Sequence, residues 1–262
     1  MKSKSSPLAK AIKERAINRK KVKKQKFVAQ KKVKKLNMLL KKGLLLSSVW
    51  DIGKRDNYAG DNGFYGNAPT QVVEQCVLRL TRKKSLVLDP MAGSGTTIDV
   101  CRHLKRKYLA YDLHPSRKDI KRNDSRRLPV RDERVDLVFL HPPYWNLVYY
   151  SQDKRDLSRS RSLDDFLNGM REVIIESKRV LKKHGHLCVL IGDVVRNGQF
   201  IPLSRKIANM CEGIGLVDRG TAIKLTNGSV SQIGKGRIIY AELANKNNLR
   251  ISHDIVMFWQ KA

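Results

Sequence analysis

The run Ser85-Leu-Val-Leu-Asp-Pro-Met-Ala-Gly-Ser-Gly-Thr-Thr97 constrains this chain more than any other stretch. An apolar segment rich in β-formers ends at Asp89 and gives way to small residues and glycine. That is the pattern of a buried strand feeding a tight turn at the N-terminus of a helix, with glycines letting a ligand approach the backbone. A Walker-type phosphate loop needs Lys after its second Gly, and here Gly95 is followed by Thr96 and Thr97. The G-x-G-x-x-G spacing of dinucleotide folds is also missing. An acid at the strand end suits a ligand whose amino-acid end carries an ammonium, as S-adenosylmethionine does.

A second strand end carries the other informative motif. The apolar run Val135-Asp-Leu-Val-Phe-Leu140 leads into His141-Pro-Pro-Tyr-Trp145. Together and in this order, the two motifs resemble those of the amino-methyltransferases that modify the exocyclic amine of adenine (N6) or cytosine (N4) in DNA with S-adenosyl-L-methionine. The resemblance runs from about Trp50 to the C-terminus. It implies an α/β fold of the class I, Rossmann-like methyltransferase type. Such a fold has a seven-stranded, mostly parallel sheet with one antiparallel strand; here a basic N-terminal arm, helical or disordered, precedes it.

The resemblance also assigns roles. Asp89, Pro90, Ala92, Gly93, Ser94, Gly95 and Thr96 form the cofactor turn. Thr70 and Gln71 match a His-Pro-Thr-Gln element that helps hold the methionine carboxylate, although Asn67-Ala68 replaces its usual lead-in and a plain helix cap is the alternative. Asp112 ends the strand Lys107–Asp112, about 20 residues beyond Asp89, the offset at which an acid reaches ribose hydroxyls. Asp124 stands where the family places an acceptor for the adenine amine.

His141, Pro142, Pro143 and Tyr144 form the catalytic element. An aromatic exocyclic amine is a poor nucleophile because its lone pair is delocalised into the ring. Acceptors at the first motif position and at the carbonyl of the following proline favour a pyramidal nitrogen whose lone pair faces the methyl donor. Pro142 takes the carbonyl role and Tyr144 stacks on a base that has been flipped from the duplex. His141 departs from the Asp, Asn or Ser usual in the family. Neutral imidazole keeps one acceptor nitrogen and imidazolium has none, so activity is expected to fall below a pKa of about 6.5 if the ring is unperturbed.

Charge points to the partner. With 54 Lys and Arg against 24 Asp and Glu, the 262-residue chain carries +30. A balance this basic favours a polyanion. Residues 1–42 hold seventeen Lys or Arg against Glu14 alone, read as a clamp for nucleic-acid phosphates, with a solvated tail or targeting run as the alternative. The resemblance puts DNA ahead of RNA. No apolar run approaches the roughly 18 to 20 residues of a membrane span, and four scattered cysteines without a C-x-x-C pair suit a reducing cytoplasm. His184 and His186, with no carboxylate or third His nearby in sequence, read as packing residues rather than metal ligands. The expected organisation is a basic arm over 1–43, a linker over 44–66 and a methyltransferase domain over 67–262. The Gly-, Asn- and Lys-rich segment 226–250 is too short for a target-recognition domain of ordinary size. An RNA base methyltransferase on the same fold, or a noncatalytic nucleic-acid-binding module, remains open from sequence.

Overall fold

A computed structural model describes residues 7–41, 43–226, 249 and 251–262. Most of the segment 226–250 therefore lies outside the described residues. Two compact units divide the chain after Leu45. The first holds helix α1 (Pro7–Leu40), whose interior contains neither Gly nor Pro after its opening Pro7. Proline suits that first position because its missing N–H would be unpaired there anyway. Gly43, at φ +82°, stops the helix, its amide donating to Leu40 O (2.9 Å). Phe27, Val33 and Met38 on α1 are exposed. Among the described residues no helix is long and apolar enough to cross a membrane.

The second unit, residues 46–262, is built on one sheet. Its strands are β1 (Val49–Trp50), β2 (Leu86–Asp89), β3 (Lys107–Asp112), β4 (Lys121–Arg122), β5 (Val135–Leu140), β6 (Leu181–Ile191), β9 (Leu216–Leu225) and β10 (His253–Lys261), in the order β1-β9-β10-β6-β5-β2-β3-β4. Pairing is parallel from β6 through β5, β2 and β3 to β4, while β10 runs antiparallel to both β6 and β9. A separate hairpin of β7 (Val194–Arg196) and β8 (Gln199–Ile201) turns at Asn197-Gly198, both at positive φ, as a two-residue hairpin loop requires.

The central strands are apolar because both faces of the sheet are covered. Leu88, Val138 and Leu140 join one cluster with Phe166, Met170, Val173 and Ile174 of α4 (Leu163–Val180) and Ile207 of α5 (Leu203–Gly213). The alternate positions Val87, Leu137 and Phe139 are equally buried. Helices α2 (Thr70–Leu80) and α3 (Thr96–His103) pack on each other and against β5 and β3 respectively.

Two differences from the sequence expectation stand out. Among the described residues the main sheet has eight strands rather than seven, the additional one being β1, which runs parallel to β9. Residues 46–66, expected as linker, are packed into this unit. Trp50 is buried with its ring 5.9 Å edge-on from Phe258, and its Nε1 donates to Ser47 O (2.8 Å). Ala59 is buried too, and the Gly60 amide donates to Asp99 Oδ2 (3.0 Å).

Candidate active site

The carboxyl ends of β2, β3 and β5 meet at a cavity of about 370 Å³, where ligands bind in open α/β sheets. After Asp89 the chain folds back, Ala92 N donating to Tyr111 O (2.9 Å) and Gly95 N to Ala92 O (2.8 Å). Gly93 and Gly95 both adopt positive φ, +49° and +85°. A Cβ at Gly95 would lie 2.7 Å from Arg117 Nη1, and Arg117 cannot easily yield because Asp99 (2.7 Å) and Asp119 (2.8 Å) hold it.

Four aspartates, Asp89, Asp112, Asp124 and Asp156, line this cavity. Asp89 accepts from Thr97 Oγ1 (2.6 Å) and Met91 N (3.0 Å). Burial nevertheless pushes its carboxyl up to about 7, with nearby Asp112 adding to the rise and those two hydrogen bonds opposing it. Asp112 accepts from Gly93 N and His114 N (both 2.9 Å), and burial raises it as well. Burial also pushes Asp124 upward, but the Arg126 guanidinium, 2.7 Å away, prevails and holds it below the usual range.

His141 lines the same cavity, directly after the end of β5. Burial pushes its imidazole down to about 4, Asp254 opposing and Lys224 reinforcing the shift. Nε2 of His141 lies 3.4 Å from the Tyr144 hydroxyl, which is 3.1 Å from Asp254 Oδ1.

The sequence pattern of a family described as DNA methylase matches residues 3–123 and 135–262. This chain belongs to that family, the N6/N4 DNA methylases. The match extends through α1, beyond the resemblance that began at about Trp50. Among curated relatives, the type II methyltransferase M.Cfr9I of Citrobacter freundii is 34% identical over 88 residues, which are 34% of this chain and 27% of that protein. M.BamHI of Bacillus amyloliquefaciens is 32% identical over 78 residues, 29% of this chain and 18% of that protein. The chain therefore matches about a quarter of the first relative's length and less than a fifth of the second's. In fold it is similar to the [4+2]-cyclase SpnF, at a TM-score of 0.50 and 13% identity over 80% of this chain and 88% of that one.

In this family member the structure brings Asp89, Pro90, Ala92, Gly93, Ser94, Thr96, Asp112, Asp124, His141 and Pro143 onto one cavity. Thr70, Gln71, Gly95, Pro142 and Tyr144 are not on its wall. Thr70 Oγ1 donates to Asp56 O (2.9 Å) and Gln71 Nε2 to Lys54 O (2.8 Å), so the first turn of α2 fastens the segment before it. Asn67 and Ala68, which break the family's lead-in, line the cavity instead, with Asn67 Oδ1 accepting from Thr96 Oγ1 (2.6 Å). Tyr144 turns its hydroxyl to Asp254 and His141, while Trp145 packs on the main core.

Sequence reasoning missed four residues of consequence. Phe64 and Tyr150 stack at 6.3 Å between ring centres and wall the cavity from two otherwise polar loops. Asp254 and Lys224 form an ion pair at 2.9 Å beside Tyr144. Aromatic residues within hydrophilic loops were the available signal for the first pair. The second pair had none, because it depends on strand register.

Proposed function

We propose that this chain transfers the methyl group of S-adenosyl-L-methionine to the exocyclic amine of adenine (N6) or cytosine (N4) in a base flipped out of DNA. One observation carries the reading: a single cavity is lined both by aspartates, Asp89, Asp112, Asp124 and Asp156, and by an uncharged acceptor, His141. The cofactor fits this donor set, since a buried carboxyl raised to about 7 lacks a cation that an ammonium would supply. Asp89 would take the ammonium, Asp112 the ribose hydroxyls and Asp124 the adenine amine. When bound, S-adenosyl-L-methionine supplies an electrophilic methyl on a sulfonium. His141 accepts a hydrogen bond from the target amine and helps turn its lone pair toward that methyl, while Pro142, buried and off the cavity wall, is left without the expected carbonyl role. Tyr144 supports His141 from behind, and base stacking falls to the aromatic residues that line the cavity, among them Tyr149 and Tyr150. The family's description as DNA methylase supports DNA over RNA as the substrate. Counting isotope-labelled methyl groups transferred to mixed-sequence duplex DNA and to RNA of equal composition tests the choice, with DNA expected to take the label and RNA-only labelling overturning it.

The carboxyl of Asp89 gives a pH signature. A cation favours its ionised form, so below about pH 7 binding must expel a proton. Affinity for S-adenosyl-L-methionine should then weaken about tenfold per pH unit below 7 and level off above it. Calorimetry in two buffers of different ionisation enthalpy should show proton release at pH 6, and an affinity flat from pH 5.5 to 8.5 would remove Asp89 from this role.

The basic arm would contribute affinity for phosphates without sequence choice. Replacing Lys24, Lys26, Lys31 and Lys34 with Gln should flatten the dependence of log K on log salt by about 0.9 for each duplex phosphate that is no longer neutralised. Fluorescence anisotropy over a salt series reads this, and an unchanged slope would mean that these lysines do not touch DNA.

A further inference from the structure

Four side chains from separate parts of the fold make one line behind the cavity. His141 ends β5, Tyr144 follows it, Asp254 stands on β10 and Lys224 on β9. Asp254 and Lys224 are direct partners in the β9–β10 register, and Lys224 is only 9% exposed. Lys224 Nζ lies 2.9 Å from Asp254 Oδ2, while Asp254 Oδ1 is 3.1 Å from the Tyr144 hydroxyl. The same hydroxyl is 3.4 Å from His141 Nε2. Gly192 makes room for the line, since a Cβ there would lie 2.6 Å from Tyr144 Cε2 and 2.9 Å from Asp254 Oδ1.

Proton counting along this line fixes its direction. A carboxylate paired with an ammonium can only accept, and a phenol has one proton to give. Tyr144 therefore donates to Asp254, leaving its oxygen lone pairs toward His141. A ring nitrogen facing a lone pair must bring its own hydrogen. We propose that Asp254 is a positioning residue that, through the Tyr144 hydroxyl, holds His141 in the Nε2–H tautomer and leaves Nδ1 as the ring's one acceptor for the target amine. This rests on the reading of His141 as the amine acceptor. Burial keeps the ring neutral near pH 7, so the tautomer is what decides which nitrogen accepts. Among the described residues, the titratable and charged groups that act on the ring are Tyr144, Asp254 and Lys224.

Nitrogen-15 NMR of protein labelled in its histidine rings tests this, with the His141 signals assigned by their loss in His141→Asn. At pH 7 the wild-type ring should carry its proton on Nε2. In Asp254→Asn the new amide can donate to the Tyr144 oxygen, turning the phenol proton toward His141 Nε2. The balance should then move toward the Nδ1–H form by about tenfold, the preference one hydrogen bond imposes. Tyr144→Phe should relax the preference toward an even mixture. Both variants should lose kcat with unchanged affinity for S-adenosyl-L-methionine, which also shows that each is folded. A wild-type ring protonated on Nδ1, or a tautomer ratio unmoved by Asp254→Asn, overturns the proposal. The tautomer is read without any methyl transfer, so an inactive protein with the expected ratio would contradict the enzymatic reading and leave the relay standing.

Discussion

Replacing His141 with Ala should lower kcat by about 10²- to 10³-fold, the usual cost of removing one preorganised hydrogen-bonding group from a transition state. Affinity for S-adenosyl-L-methionine should barely change, because the carboxylates that would hold it lie on other strand ends. The pH profile separates this role from simple packing. Only the neutral ring has a free lone pair, so activity is retained above the ring's pKa and lost as pH falls through it. Burial has moved that pKa down to about 4, which corrects the limb near 6.5 expected from an unperturbed histidine. Wild-type kcat should therefore be flat from pH 8 to about 5 and fall near 4, while His141→Asn, whose amide oxygen accepts at every pH, should show no such limb. Circular dichroism alongside distinguishes titration from unfolding. A limb near 6.5 that survives in His141→Asn would assign it to another group.

Asp112→Ala should weaken S-adenosyl-L-methionine binding about 10²- to 10³-fold, since a charge-assisted hydrogen bond is worth about 1.5–3 kcal/mol and more than one would be lost. Part of that loss is indirect. Asp112 holds the Gly93 and His114 amides, so its removal also loosens the turn that the ligand must lie against. Asp112→Asn keeps one acceptor oxygen and should fall between the two. Equilibrium dialysis with labelled cofactor measures the series. If Asp112→Ala binds within about threefold of wild type, the ribose contact lies elsewhere.

The strands and the Gly-rich turn could be read from local pattern. The run ending at Asp89 needed only composition to announce a buried strand and turn, and Asp112 needed only its offset along the chain. Thr70 and Gln71 show where local reading stops. They do stand at the start of a helix, but docking of residues 52–56 claimed their side chains and left Asn67 and Ala68 at the cavity. The eighth strand escaped notice because two residues carry no periodicity, and only its parallel pairing with β9 defines it. Asp254 and Lys224 meet because β9 and β10 adopt one register, and alternation announces a strand without saying which residue it faces. The low pKa of His141 was equally out of reach, since the burial that lowers it is a property of the assembled fold.

Amino-methyl transfer to a DNA base leaves a methylated nucleoside that can be identified. Purified protein incubated with methyl-labelled S-adenosyl-L-methionine and matched DNA and RNA pools, then digested to nucleosides, identifies the product by mass spectrometry. Label is expected on N6 of deoxyadenosine or N4 of deoxycytidine, lost in His141→Ala. Label on a ribonucleoside, or on a ring carbon of either base, would contradict it, as would no label at all from protein that binds the cofactor.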